Sequence, residues 1–173
     1  YLDGYWQNEL YFSDIRELLL RELSPISLMN ESGCVYLERI KNSNSVSLHV
    51  RRGDYLKLKN IGVLDVDYYM KAVQYIRKNV DKPTFYIFSD DLEWCKRYLG
   101  FVDGCIYVDR TQNEIDDLKL MSFCQHNIIA NSSFSWWGAW LNQNRKKTVI
   151  APKGWLLNDP SSSNVILSDW VKF

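Results

Sequence analysis

Residues 45–55 have the sequence S-V-S-L-H-V-R-R-G-D-Y, in which a mostly apolar run ends on two arginines. The first six of these residues predict a β-strand, because the run is short, rich in Val and Leu, and begins in the polar turn N-S-N-S at 42–45. Basic and acidic residues are balanced over the whole chain, at 21 each. The two cations at the end of this strand are therefore a local feature that needs its own explanation.

A short apolar segment followed by an amphipathic one recurs along the rest of the chain. We predict four more strands, at 84–88, 105–108, 127–130 and 148–151. The predicted helices that follow the strands lie at 67–79 (with Asp67 as N-cap), near 91–99, near 113–125, and from the 131–135 turn to about Asn142. Strand–helix alternation with short apolar strands is typical of a parallel sheet covered on both faces. The predicted fold class is therefore α/β, a Rossmann-like doubly wound parallel sheet.

Two helices are predicted before the first strand. Apolar residues recur at helical spacing over 9–23, and Pro25 ends that helix because the residue before a proline avoids the helical region. Asn30 is the expected N-cap of the second helix. We expect residues 1–27 to be the tail of a preceding domain or a linker helix, and residues 28–173 to form the Rossmann-like domain.

Composition excludes several classes of protein. A chain with no net charge is not expected to bind nucleic acid through a broad basic surface. Hydrophobic residues make up 46% of the chain, which predicts a sizeable core, yet there is no apolar run of about 18 residues and no signal-peptide pattern. The cysteines are widely spaced, and Cys124 with His126 lacks the second ligand pair of a zinc site. We expect free thiols in a reducing compartment and no metal.

Polar clusters follow four of the predicted strands, at the sheet edge where α/β proteins bind ligands: residues 49–55, 89–91, 109–111 (D-R-T) and 131–135. In the first cluster, His49 and Arg51 point to the same side, because side chains alternate along a strand. An arginine at such a position can hold a phosphate through two parallel hydrogen bonds. Two other interpretations remain. Arg52 and Asp54 can form an ion pair that only supports the turn, with His49 a core residue, or the R-G-D tripeptide can serve cell adhesion.

The stretch N-S-S-F-S at 131–135 leads from a predicted strand into a predicted helix. Free backbone N–H groups and the helix dipole favour an anion there, and the serine hydroxyls add donors. The alternative is that Ser133 or Ser135 only caps the helix. The aromatic residues of this region are expected to pack between helix and sheet more than to stack on a ligand: Phe134, Trp136, Trp137 and Trp140.

A third cluster, S-D-D at 89–91, places a carboxylate just past a strand. Asp90 can accept hydrogen bonds from ribose hydroxyls or from a base edge. It is equally possible that Ser89 or Asp90 caps the next helix. Neither G-x-G-x-x-G nor G-x-x-x-x-G-K-[ST] occurs, so the common dinucleotide and P-loop motifs do not explain these clusters.

These motifs together resemble the α-1,2-fucosyltransferases of glycosyltransferase family 11. The resemblance is carried by H-V-R-R-G-D-Y at 49–55, F-S-D-D at 88–91 and N-S-S-F-S-W-W-G-A-W-L at 131–141, with D-V-D-Y-Y-M-K-A at 65–72, A-P-K-G-W at 151–155 and G-Y-W-Q at 4–7. It spans nearly the whole chain. Members of the family resemble two-domain GT-B enzymes, and this chain is similar to the C-terminal half, which binds GDP-fucose.

The resemblance implies a role for each motif residue. Arg51 would hold the donor pyrophosphate, His49 would lie beside the phosphates or the fucose, and Asp90 would contact the guanosine. Phosphate would also be bound by the 131–135 turn, through Ser132, Ser133, Phe134 and Ser135. The enzymes it resembles invert the anomeric centre without a metal or other cofactor. The general base is open, with Asp54 as one candidate and the absent N-terminal domain as another source.

The function implied is inverting transfer of L-fucose from GDP-fucose to a hydroxyl of a galactoside-containing glycan. The expected partners are GDP-fucose and an acceptor such as a β-galactoside, with no nucleic acid. The expected location is a bacterial cytoplasm, with peripheral contact to a membrane that carries lipid-linked glycans. The alternatives are a nucleotide-binding fragment with no activity of its own and the adhesion module.

Overall fold

The computed structural model describes residues 8–23, 29–109, 111, 113–157, 159 and 164–173. The α-helices in these ranges are α1 (Arg16–Glu22), α2 (Glu31–Lys41), α3 (Val66–Asn79), α4 (Leu92–Tyr98), α5 (Glu114–Phe123) and α6 (Ser133–Trp140). The strands are β1 (Asn44–Val50), β2 (Pro83–Ser89), β3 (Ile106–Tyr107), β4 (His126–Ile128), β5 (Val149–Ala151) and β6 (Val171–Lys172).

The strands form one parallel sheet in the order β3-β2-β1-β4-β5-β6. From β1 the chain moves outward to β2 and β3, then returns to the other side of β1 and continues to β6. The order therefore reverses between β1 and β4, and such a reversal opens a crevice at the carboxyl ends of the two strands. The predicted α/β, Rossmann-like doubly wound sheet is confirmed.

Strand β1 lies in the middle of the sheet, and its side chains are buried on both faces. Val46, Leu48 and Val50 pack with residues of α3 and α4. Ser45, Ser47 and His49 alternate with them and are also buried, because helices cover both faces of a doubly wound sheet. The alternation predicted for this strand is confirmed.

The tryptophans of α6 pack in the protein interior, as expected. Trp136 and Trp140 are buried and stacked with ring centroids 6.2 Å apart. Phe12, from the N-terminal segment, contacts both of these rings and also stacks on Trp137 at 5.8 Å. Glu9 accepts hydrogen bonds from the Nε1 of Trp140 at 2.8 Å and from the Nη1 of Arg16 at 2.7 Å. The N-terminal segment is thereby fastened to α6.

That segment is not the single helix predicted over 9–23. Two short 3₁₀ turns, Glu9–Tyr11 and Ser13–Ile15, precede α1. The helical pattern is interrupted at Phe12, whose φ of −143° is not helical and whose ring is drawn into the α6 tryptophans. The predicted stop at Ser24-Pro25 and the motif at 4–7 lie outside the described residues, and the division at residue 27 stays a prediction.

Two further predictions are corrected. The N-cap of α3 is Asp65, whose side chain accepts from the Tyr68 N–H, whereas Asp67 lies within the first turn. The sequence pattern gave no indication of β6, because that strand is only two residues long and pairs with β5. The prediction that Asn30 caps α2 is confirmed, since its Oδ1 accepts from the Gly33 N–H at 2.7 Å.

All four cysteines are free thiols, and those of Cys95 and Cys124 are buried. In the described ranges, no group of three or more His, Cys, Asp or Glu side chains is arranged to hold a metal ion. Among the same residues, no helix combines the length and apolar character needed to cross a bilayer.

Candidate functional site at the carboxyl edge of the sheet

Three of the four polar clusters meet because of the register of the sheet. Val50 is the partner of Ser89 in the β1–β2 pair, so Arg51 and Asp90 both follow directly after paired residues. On the other side of β1, Leu48 is the partner of Ile128, which places the residues after β4 beside those after β1. The clusters at 49–55, 89–91 and 131–135 therefore share one edge, at the point where the strand order reverses.

Arg51 lies at the mouth of this crevice and contacts two carboxylates. Its Nη2 is 2.9 Å from Asp54 Oδ1, and its Nε is 3.3 Å from Asp90 Oδ2. The guanidinium also lies over the ring of Tyr55, 5.4 Å from the centroid. The buried Nε–H makes no hydrogen bond, so the contact with Asp90 is electrostatic and this donor is not satisfied.

Arg52 has a different set of partners. Its Nε is 3.2 Å from Asp91 Oδ2, and its guanidinium lies 4.2 Å from the centroid of the Trp94 ring. The predicted ion pair between Arg52 and Asp54 is therefore wrong, because Asp54 pairs with Arg51. Arg52 turns toward α4, where the cation–π contact and Asp91 hold it.

Asp90 connects the ends of β1 and β2. Its Oδ1 accepts the backbone N–H of Arg52 at 2.9 Å while Oδ2 faces Arg51. A Cβ on Gly53 would lie 2.7 Å from that Oδ2, so the turn approaches Asp90 as closely as it does only because residue 53 is glycine. The next helix is capped by Asp91, which accepts from the Trp94 N–H, and neither Ser89 nor Asp90 has that role.

The N-terminus of α6 follows β4, the strand paired with β1 on the side away from β2. The first N–H groups of a helix have no partner within it, and the first backbone bond here runs from Trp136 N–H to Ser132 O. Ser132 occupies the N-cap position without a side-chain capping bond, and Ser133 is exposed. Ser135 is buried, and its Oγ lies 3.3 Å from Ser132 O, so its hydroxyl is directed at its own backbone. The alternative that Ser133 or Ser135 caps α6 is therefore wrong, because the N-cap position is Ser132.

His49, near the end of β1, lies against the first turn of α6. It is 4% exposed, its ring centroid is 5.7 Å from that of Phe134, and its buried Nδ1 has no hydrogen-bond partner. Burial, with a smaller contribution from the Arg51 cation, lowers the pKa of His49 to about 3. The imidazole is therefore neutral near neutral pH and contributes no positive charge to the crevice.

This lowered pKa predicts a pH dependence of stability. The contribution of neutral His49 is complete above an unfolded-state pKa of 6.5 and is lost as the pH falls toward about 3. Asp117 acts in the opposite sense, because burial raises its pKa to about 6. Between pH 7 and about pH 4.5, the wild type should lose free energy of unfolding because His49 is held neutral. His49→Gln lacks this loss, so its free energy of unfolding should fall by about 2 kcal/mol less than that of the wild type.

Urea unfolding at both pH values measures this difference. His126→Gln is the matched control, since it removes the other histidine of the chain, which is less completely buried and accepts the Thr148 N–H through Nδ1. Parallel pH profiles for wild type and His49→Gln would show that His49 is not held neutral.

Asn131 is a structural residue of the site that the sequence argument did not identify. It is 4% exposed, and its Nδ2 donates to Gly62 O at 2.8 Å and to Trp155 O at 3.2 Å. It therefore joins the segment after β1 to the segment after β5, beside the α6 N-terminus. The sequence pattern at 131–135 predicts a phosphate site or a helix cap and assigns Asn131 no role of its own.

The crevice is distinct from an open cleft of about 600 Å³ on α4, lined by Glu93, Trp94, Lys96, Arg97 and Tyr98 together with Asp91. Asp91 is the residue shared by the two regions, because it pairs with Arg52 and caps α4. The cleft follows one helix, and Asp91 is the one strand-end group among the described residues that line it. The crevice is therefore the better candidate for a phosphate-containing ligand.

Comparison with known proteins gives consistent matches. The family model described as "Glycosyl transferase family 11" matches residues 1–173. An "Alpha-1,2-colitosyltransferase" from Escherichia coli is 38% identical over 92% of this chain and 57% of its own length. An "O-antigen biosynthesis glycosyltransferase" from the same organism is 35% identical over 98% of this chain and 59% of its own length.

More distant relatives have related names. The human "Galactoside alpha-(1,2)-fucosyltransferase 1" is 27% identical over 81% of this chain and 42% of its own length. No solved structure matches. The chain thus spans less than two thirds of the length of these relatives. Since the family match covers every residue, the resemblance drawn from the motifs is confirmed, and the chain belongs to glycosyl transferase family 11.

Proposed function

We propose that this chain binds GDP-fucose in the crevice between β1 and β4 and takes part in transferring L-fucose to a hydroxyl of a galactoside-containing glycan, as an α-1,2-fucosyltransferase with GT-B architecture. The observation that carries the proposal is that Arg51 follows β1 and the N-terminus of α6 follows β4, two paired strands at the reversal of strand order. A guanidinium and the first N–H groups of a helix thus follow neighbouring strand ends, and both favour phosphate.

The proposed reaction is a single displacement with inversion. The acceptor oxygen bonds to the anomeric carbon as the bond from that carbon to the phosphate oxygen breaks, and the electron pair leaves with GDP. Negative charge grows on the leaving diphosphate, so donors directed at it stabilise the transition state. Arg51 and the N–H groups of Ser133 and Phe134 would supply this stabilisation without a metal.

The remaining site residues have supporting roles in this proposal. The hydroxyls of Ser132 and Ser133 would add donors, and the turn through Ser135 would shape the phosphate site. Asp90 would contact the guanosine while it holds the turn after β1. Neutral His49 would contact the phosphates or the sugar through a ring nitrogen. The acceptor proton would pass to a carboxylate such as Asp54 or to a residue of a further domain.

The donor sugar has a second candidate. The relative with 38% identity is named as a colitosyltransferase, whereas the relatives with 27% identity are named for fucose. Competition between GDP-linked fucose and GDP-linked colitose for the chain distinguishes the two. A β-galactoside is the proposed acceptor, and the proposed place of action is the cytoplasmic surface of a membrane that carries lipid-linked glycans.

The test is to incubate the chain with GDP-fucose and a β-galactoside and to analyse products by mass spectrometry and NMR. A fucosylated product with inverted anomeric configuration supports the proposal. GDP binding without product leaves the nucleotide-binding fragment as the function of the isolated chain. Absence of both binding and product contradicts the proposal, and addition of EDTA tests whether a metal is needed.

A further inference from the structure

The charges around the crevice do not suit a diphosphate as they stand. Two cations, Arg51 and Arg52, are accompanied by three carboxylates, those of Asp54, Asp90 and Asp91. A diphosphate brought beside this group would meet an excess of negative charge, and like charges at short range oppose binding. One carboxylate must therefore move or be neutralised when such a ligand binds.

Asp90 and Asp91 are both fixed by other contacts. Asp90 accepts the Arg52 backbone N–H, lies against Gly53, and has a side chain that is 25% exposed. Asp91 caps α4 through the Trp94 N–H and pairs with Arg52. Moving either carboxylate would break a backbone hydrogen bond as well as an ion pair.

Asp54 has no comparable anchor. It begins the one-turn 3₁₀ helix Asp54–Lys57, its side chain is 57% exposed, and its ion pair is with Arg51. An exposed ion pair of this kind contributes little stability, because water and salt screen it. Of the three carboxylates, that of Asp54 can therefore turn into solvent at the lowest cost.

We propose that the Asp54 carboxylate is a placeholder for a phosphate of the donor. In the free chain it occupies the open side of the Arg51 guanidinium, and a nucleoside diphosphate displaces it when it binds. Asp90 and Tyr55 keep Arg51 in position during the exchange, because they contact it at Nε and on the ring face. This inference rests on the proposed function, since it assumes that Arg51 binds the diphosphate.

If Asp54 is such a placeholder, neutralising this charged residue of the site should increase the affinity for GDP. The Asp54 carboxylate competes with the diphosphate for Arg51, and its negative charge also repels the diphosphate. Removing the charge of Asp54 should therefore tighten GDP binding. Each of these two effects changes an equilibrium by a factor of about two to five for exposed groups. Acting together, they should lower the Kd of GDP about four- to twenty-five-fold in Asp54→Asn. A residue that only supported the turn would instead weaken binding when changed.

The experiment is calorimetric titration of GDP into the 173-residue chain and into Asp54→Asn and Asp90→Asn, in buffer with EDTA, with a second titration of the wild type in Mg²⁺. Asp90→Asn is the matched control, since it makes the same chemical change at the other carboxylate beside Arg51. We expect it to weaken binding, because Asp90 holds both Arg51 and the Arg52 N–H. Thermal unfolding of each variant confirms that it is folded.

The GDP titrations test the placeholder role of Asp54 separately from the proposed function. A lower Kd for Asp54→Asn with a higher Kd for Asp90→Asn supports the placeholder. Binding to Asp54→Asn that is unchanged or weaker overturns it and leaves the proposed function standing. Wild-type binding that requires Mg²⁺ also overturns it, because a cation would then offset the excess charge. Failure of the wild type to bind GDP at all overturns both the placeholder and the proposed function.

Discussion

Arg51→Ala is expected to raise the Kd for GDP by roughly a hundredfold, about 3 kcal/mol. The change removes the guanidinium proposed to hold the diphosphate, and charge-assisted hydrogen bonds are among the stronger ones. It also leaves the carboxylates of Asp54 and Asp90 facing the ligand without their cation. If the chain transfers fucose, the rate should fall by about 10²–10³, since the same group stabilises the departing phosphate. Calorimetry with GDP measures the first effect.

Two further variants separate charge from geometry. Arg51→Lys keeps the charge but loses the planar pair of donors, so it should recover only part of the affinity. Arg21→Ala is the control, because Arg21 is exposed on α1 and pairs with its neighbour Glu22; its Kd should equal that of the wild type. Equal GDP binding by Arg51→Ala and the wild type would show that Arg51 is not the phosphate ligand.

Trp140→Ala should lower the free energy of unfolding by about 3–5 kcal/mol, as large-to-small changes of buried aromatic residues do. Trp140 is fully buried, stacks on Trp136, and lies 4.3 Å beneath the Arg16 guanidinium. Its Nε1 donates to Glu9, so the substitution also leaves that carboxylate with one partner fewer. Urea unfolding followed by circular dichroism measures the loss.

The effect of this substitution should depend on size and on the indole nitrogen. Trp140→Phe should cost less than Trp140→Ala, because the ring still fills most of the space and only the bond to Glu9 and part of the volume are lost. Trp137→Ala is a comparison on the same helix at a partly exposed position, and should cost less than Trp140→Ala. A loss below about 1 kcal/mol for Trp140→Ala would contradict the packing that fixes α6 beside the crevice.

The fold class could be predicted from the alternation of strands and helices, and β1 could also be predicted in detail. The alternation of Val46, Leu48 and Val50 with Ser47 and His49 indicates a strand with two distinct faces, and the structure has both faces buried. Helix starts were predicted correctly where a capping residue precedes an amphipathic segment, as Asn30 does before α2. The prediction was less accurate at α3, where Asp65 and Asp67 are both acceptable caps and only the backbone geometry selects Asp65.

The ion pairs within the site could not be predicted from the sequence. The position of Asp54 two residues after Arg52 suggested a local ion pair, but the turn at Gly53 brings Asp54 to Arg51 instead. Asp90 and Arg51 are 39 residues apart and meet only through the β1–β2 register. The role of Asn131 was hidden for the same reason, since its partners, Gly62 and Trp155, belong to segments that converge only in the folded chain. Contacts of this kind depend on tertiary structure, which spacing along the chain does not encode.

The most direct test of the central claim, that the crevice between β1 and β4 binds a nucleoside diphosphate, is to map GDP on the ¹⁵N-labelled chain by backbone amide NMR. The largest shifts should fall in residues 49–54, at Asp90 and Asp91, and at 131–135, because the sheet register brings these groups together. Shifts confined to residues 93–98, which line the cleft on α4, or an absence of shifts at saturating GDP, would contradict this claim.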